Sequence, residues 1–251
     1  SEEDLKKALA ELGEIDTSLR GEIAAPEPTE PEGKPAKAFI QVSYDPEQSV
    51  ATRKAYGNAL ARIARAYPHM VVRDAEVSNS THAEIFKKDN ADRFFEMYIA
   101  EQNMVGVAAG LANGGRIPFV SAASCFLTAR ALEQIKADVA YAGFNVKLVG
   151  QSSGIAYGEL GATHHSIEDF AWLRALGPIT VIAPCDAWET AEAVKWAADH
   201  AGPVYLRLSR MKVPTLDLPD RSFTPGKAEL QRAGTDVTII ANGTTVHLAI
   251  E

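Results

Sequence analysis

From residue 51 to residue 209 the chain alternates short apolar runs with longer amphipathic segments, and few folds accept that alternation. ATRKAYGNALARIARAY reads as a helix with Ala59, Leu60, Ile63 and Ala64 on one face. MVVRDAE, IPFVSAA, VKLVGQ, ITVIAP and PVYLRLS are apolar runs of strand length. RFFEMYIA reads as a strand leading into a helix over 102–112 that stops at Gly114-Gly115. ARALEQIKADVAYA, SIEDFAWLRAL and AWETAEAVKWAADH supply further helices. Strands apolar along their whole length need cover on both faces, and helices between them supply it. The expected fold is therefore α/β, a doubly wound, mostly parallel sheet with helices on both faces.

The flanks differ from this body. Residues 1–48 read as a short amphipathic helix, LKKALAEL ending at Gly13, followed by the Pro-rich, charged linker AAPEPTEPEGKPAK. The body spans 49–212. A second Pro-rich crossing occupies 213–234, and 235–251 reads as the first strand and first helical turn of another α/β domain. Those last residues are too few to bury a core of their own. The whole reads as a middle segment of something larger.

Composition narrows the function classes. A net charge of −8 with no block of Lys or Arg argues against nucleic acid and anionic membranes as partners. No apolar run reaches the roughly 20 residues of a membrane span. Cys125 and Cys185 stand far apart without a CxxC pattern, as expected of reduced thiols in a cytoplasmic protein. No GxGxxG follows the first strand, which disfavours a nicotinamide-binding site.

One position resists this ordinary reading. Glu101 precedes MVGVAAGL, a helical stretch apolar on nearly every side and expected to be buried on most faces. A carboxylate in such a wall costs several kcal/mol in rough terms unless it is paired. It serves either the helix dipole, at under about 1 kcal/mol, or a functional site.

RKAYGNALARIA, NSTHAEIFKK, DRFFEMYIAEQNMVGVAAGLA and GELGATHHSIEDFAWLRAL together resemble the pyrimidine-binding middle domain of transketolases, from about residue 49 onward. The resemblance implies the thiamine diphosphate-binding fold and a two-carbon ketol transfer from a ketose phosphate to an aldose phosphate. It implies that Glu101 bonds a ring nitrogen of the cofactor's aminopyrimidine and favours its reactive tautomer. Phe126, in SCFL, would stack on that ring. Arg53, Ser80 and Arg210 match the positions that hold the substrate phosphate. Arg207 is a second candidate, although strand alternation turns it to the opposite face. His164 matches the histidine at the reacting end of the substrate, with His165 peripheral.

Three positions depart from the family pattern. Leu160 replaces an Asp that reads a donor hydroxyl, Ser152 stands where a phosphate-contacting His is usual, and Glu76 falls where an Asp near the thiazolium is expected. An altered ketose donor is one consequence, as in a split transketolase or a deoxyxylulose-phosphate synthase-like enzyme. A non-catalytic interaction module is another alternative. The GDG motif that holds diphosphate and Mg²⁺ (or Ca²⁺) is missing from the sequence. The resemblance therefore implies a separate diphosphate-binding domain or subunit, in a homodimer or heterotetramer that acts on sugar phosphates.

Overall fold

The computed structural model describes residues 1–14, 16, 18, 43–217 and 221–251. The linker expected at 24–37 lies outside the described residues. The chain divides into two units, Ser1–Lys34 and Pro35–Glu251. In the first, helix α1 (Glu2–Leu12) starts at Ser1, whose hydroxyl accepts the Asp4 N–H, and ends at Gly13 with φ 66°. None of its residues is buried within the chain.

The second unit runs β1 (Val50–Ala51), α2 (Thr52–Ile63), β2 (Met70–Asp74), α3 (Ser78–Thr81), α4 (Glu84–Asp89), β3 (Phe94–Glu96), α5 (Glu101–Asn113) and β4 (Ile117–Ala123). It continues with α6 (Ser124–Arg130), α7 (Leu132–Gln134), a π-helix (Ile135–Tyr141), β5 (Lys147–Gln151), α8 (Asp169–Arg174) and β6 (Thr180–Ile182). The last elements are α9 (Ala187–Asp199), β7 (Val204–Arg207), β8 (Lys212–Val213) and α10 (Val246–Ile250). Six strands form one parallel sheet in the order β3-β2-β4-β5-β7-β6. β1 and β8 pair separately and antiparallel, Val50 opposite Val213.

Every residue of β2 and of β5 is buried, as a sheet covered on both faces requires. One face carries α2 and α9, with Tyr56, Leu60, Ile63, Phe119, Val194 and Leu206 in its core. The other carries α5, α6, the π-helix and α8, around Met104, Val120, Leu127, Ile135, Leu148 and Tyr205. Each fully buried large side chain contributes about 1.5–3 kcal/mol. The chain leaves β2 toward β3 and leaves β4 toward β5, in opposite directions. The crevice beyond the carboxyl ends of β2 and β4 is thus the topological switch point, where ligands bind in such sheets.

Several local expectations need correction. β3 ends at Glu96 instead of Ala100, because Tyr98 turns the backbone to φ 55°. The helix expected over 129–142 is broken: α6 begins earlier, at Ser124, and the second half is a π-helix. Helix α5 is not buried on most faces, since Val107 and Gly110 lie on an uncovered side. The run DVTII forms no strand. A strand needs a ladder partner, and no described segment pairs with it; Ile240 is left 91% exposed. The helical turn after it does form, as α10. Both cysteines are free thiols. Among the described residues no helix is long and apolar enough to cross a membrane.

Candidate active site

The candidate residues collect where the strands end. Ser80 and Glu76 follow β2, Glu101 follows β3, Phe126 follows β4, His164 follows β5, and Arg210 follows β7. Arg53 joins them from the first turn of α2, with its backbone N–H bonded to Ser209 O at 3.2 Å.

Glu101 is the first residue of α5 and only 4% exposed. Its Oε1 accepts from Arg130 Nη1 at 2.9 Å. The Arg130 guanidinium also lies 4.1 Å from the centre of the Phe126 ring. Both contacts follow from α6, which sets Phe126 and Arg130 four residues apart and so on one face. Beside them an open depression of about 700 Å³ is lined by Ile99, Ala100, Glu101, Gln102, Asn103 and Arg130.

From Phe126 the line of side chains continues. The His164 ring meets Phe126 edge-on at 5.1 Å and Tyr157 edge-on at 5.4 Å. Arg210 stands over the Tyr157 ring at 4.9 Å. Arg53 Nη1 donates to Ser80 Oγ at 2.8 Å and to Ser80 O at 2.9 Å. Burial lowers the Arg53 pKa most, and the nearby charge of Arg210 lowers it further. Two guanidiniums brought close in a half-buried place suit an anion such as phosphate.

A buried network supports the middle of this line. Asp169 is fully buried, and its Oδ2 accepts from Tyr205 OH at 2.8 Å, Arg207 Nε at 2.9 Å and Ser124 Oγ at 3.1 Å. Ser124 Oγ and Ser166 Oγ share a further bond of 2.7 Å. Ser124 begins the helix that bears Phe126, and Ser166 lies two residues beyond His164. Arg207 is therefore committed to Asp169 and to Ser166 O at 3.2 Å.

The remaining candidates are placed differently. Glu76 is exposed at φ 61°, its N–H bonded to Glu96 Oε1 at 2.6 Å, and no contact links it to Phe126 or Glu101. His165 Nε2 lies 3.3 Å from Gly158 O, off the line. Leu160 is 48% exposed and offers nothing polar. Ser152 is buried at φ 55°, and its hydroxyl has no partner.

Reading the sequence missed Arg130, Tyr157 and Asp169. Arg130 was findable from its spacing to Phe126, had a helix been expected there. Tyr157 carries no local signal. Chemically, a buried carboxylate beside a half-buried phenyl ring fits a flat heteroaromatic ring with a nitrogen for the carboxyl group. Among the described residues no cluster of three His, Cys, Asp or Glu could hold a metal ion.

The family profile described as "Transketolase, pyrimidine binding domain" matches residues 48–215. One of the subunits of an apulose-4-phosphate transketolase from Phocaeicola vulgatus is 43% identical over 203 residues, covering 80% of this chain and 65% of that protein. Transketolase from Homo sapiens is 39% identical over 211 residues, covering 83% of this chain and 34% of its own length. The chain thus spans less than two thirds of the length of either relative. Among solved structures, a split gene transketolase described as an inactive beta4 tetramer aligns with TM-score 0.73 at 43% identity, over 81% of this chain and 66% of that one. Transketolase from Pichia stipitis in complex with sedoheptulose 7-phosphate aligns with TM-score 0.72 at 25% identity, over 84% and 33%.

Proposed function

Because this chain belongs to the transketolase family through its pyrimidine-binding domain, we propose that it supplies the pyrimidine half of a thiamine diphosphate-dependent transketolase site. The reaction is transfer of a two-carbon ketol unit from a ketose phosphate to an aldose phosphate. The observation that carries this reading is the continuous line from Glu101 through Arg130, Phe126, His164 and Tyr157 to Arg210, with Arg53 and Ser80 at its far end.

Thiamine diphosphate, when bound, supplies the electron sink that lets a carbon–carbon bond break and re-form. Glu101 holds a proton at a ring nitrogen of the aminopyrimidine, in a wall where low solvent access strengthens the bond. Phe126 offers the flat face, and Glu76, outside the line of contacts, is assigned to the border of the cofactor by the family resemblance alone. His164 orients the reacting end of the sugar, while Arg53, Ser80 and Arg210 hold its phosphate. The diphosphate and Mg²⁺ or Ca²⁺ are assigned to a diphosphate-binding domain or subunit, as the family resemblance implies. A homodimer or heterotetramer is the expected assembly. Residues 235–251 form the start of the family's C-terminal domain, and the two free thiols accord with a cytoplasmic enzyme of pentose phosphate metabolism.

A second reading changes only the donor. Leu160 cannot hydrogen-bond a sugar hydroxyl, and the buried Ser152 hydroxyl does not replace an imidazole. A site built to bond a hydroxyl gains orders of magnitude in discrimination from it, so its loss favours an unusual ketose phosphate.

The test is native mass spectrometry of the purified material with thiamine diphosphate and Mg²⁺, followed by turnover on a panel of ketose phosphates. Retention of cofactor only when a diphosphate-binding polypeptide is present supports the proposal. Absence of turnover from every such assembly would remove the enzymatic reading. Full activity on xylulose 5-phosphate would remove the altered-donor reading.

A further inference from the structure

Tyr157 occupies the middle of the site without any role so far. It precedes the short 3₁₀ turn Gly158–Leu160 and is half-buried. Its ring is held from two sides, by the edge-on contact with His164 and by the Arg210 guanidinium over its face. Its hydroxyl makes no hydrogen bond to any described residue. Arg53 lies near both Tyr157 and Arg210, with its backbone N–H bonded to Ser209 O, next to Arg210. Arg53 itself has a buried Nε with no partner. A free phenolic O–H, an unmatched guanidinium N–H and a second guanidinium thus share one neighbourhood. Such a set is incomplete without an acceptor that has several oxygens.

We propose that Tyr157 is a specificity-determining residue: its hydroxyl donates to the phosphate gathered by Arg53 and Arg210, and its ring sets the separation between that phosphate and His164. The ligand class is a phosphorylated sugar whose phosphate and reacting carbonyl lie on either side of one aromatic ring. This inference rests on the phosphate-site reading given above and adds to it a neutral donor and a length restraint.

The experiment is calorimetric titration of the purified chain with inorganic phosphate, using the unaltered chain, Arg53→Ala and Tyr157→Phe. Circular dichroism checks that each variant is folded. Loss of one neutral hydrogen bond is expected to weaken phosphate about 5- to 10-fold in Tyr157→Phe, whereas Arg53→Ala abolishes binding. In the assembled enzyme, Tyr157→Phe should lower the preference for a phosphorylated ketose over its dephosphorylated form by the same factor. If Arg53→Ala loses phosphate and Tyr157→Phe binds it like the unaltered chain, the role given to Tyr157 is wrong and the phosphate site stands. If the unaltered chain binds no phosphate, or Arg53→Ala binds it unchanged, the phosphate site fails and this inference with it.

Discussion

Arg130 bridges Glu101 and Phe126: its Nη1 lies 2.9 Å from Glu101 Oε1, and its guanidinium covers one face of the Phe126 ring at 4.1 Å. The two partners of the ion pair differ in burial, 46% exposed for the Arg130 side chain against 4% for Glu101. A solvated arginine is a replaceable partner, because water screens the pair and its net stabilisation is small. Arg130 therefore covers both the carboxylate and one face of the ring.

Replacing Glu101 by Gln keeps the shape and removes the charge. In the assembled enzyme it should cut turnover by roughly 10²-fold or more, the usual weight of a positioned acid–base group. Arg130→Ala leaves the buried carboxylate without its partner and should cost about 1–3 kcal/mol of stability, with cofactor affinity equal or higher. A fall in affinity would show that Arg130 contacts the cofactor itself.

Gly57 ties the substrate end to the fold. A Cβ at this position of α2 would come within 2.3 Å of His82 O, a backbone atom that cannot swing aside. Gly57→Ala should push α2 away from His82 and the adjoining helix α3, which bears Ser80, and stretch the Arg53–Ser80 bond. A loss of about 1–3 kcal/mol is expected from overpacking, read as a lower urea midpoint together with weaker phosphate binding. Unchanged phosphate binding would mean that the two residues act independently.

Asp74 gives a pH signature. Burial pushes its carboxyl up to about 7, although Thr81 Oγ and the Val77 N–H both donate to it. An unfolded Asp titrates near 3.8, so between that value and about 7 the folded chain holds the extra proton. Stability from this group is full at the acidic end and falls as pH rises through that window. Asp74→Asn retains an acceptor for Val77 and removes the titration. The difference in urea midpoint, unaltered chain minus variant, should decline from pH 5 to pH 8. A flat difference would show that Asp74 is not buried as described.

Asp169 anchors three donors at one carboxylate oxygen. Its removal in Asp169→Ala leaves Arg207, Tyr205 and Ser124 without their common acceptor, a loss of about 3 kcal/mol. Because Ser124 and Ser166 flank Phe126 and His164, cofactor affinity should fall as well. Asp169→Asn should recover part of both by accepting with its amide oxygen. Loss of stability with cofactor binding intact would confine Asp169 to the core.

The fold was legible wherever burial is two-sided. β2, β4, β5 and β7 announce themselves as apolar runs because helices cover both faces, and α2 and α9 show the matching periodicity. Helix α6 was not legible: SCFLTAR follows β4 with no turn residue and no cap, so sequence alone gives no reason for the chain to change conformation at Ser124. The DVTII run failed in the opposite sense, since strand propensity cannot make a strand without a ladder partner. At the site, resemblance picked out Glu101, Phe126, His164, Arg53, Ser80 and Arg210 as candidates, and the fold sets them after the strand ends and in the first turn of α2. Glu76 stays outside it, held by its backbone bond to Glu96. Tyr157 was invisible because its importance lies in what stands beside it in space, and Arg130 was missed because the expected helix began at 129, after Phe126.

The two-residue ladder of β1 and β8 has a consequence for how such a unit is inherited. Val50 and Val213 lie opposite each other, so the polypeptide enters and leaves the body that contains the six-stranded sheet through one doorway. Whatever is spliced onto either side attaches at nearly the same spot and leaves the intervening scaffold undisturbed. A body closed in this way behaves as a cassette.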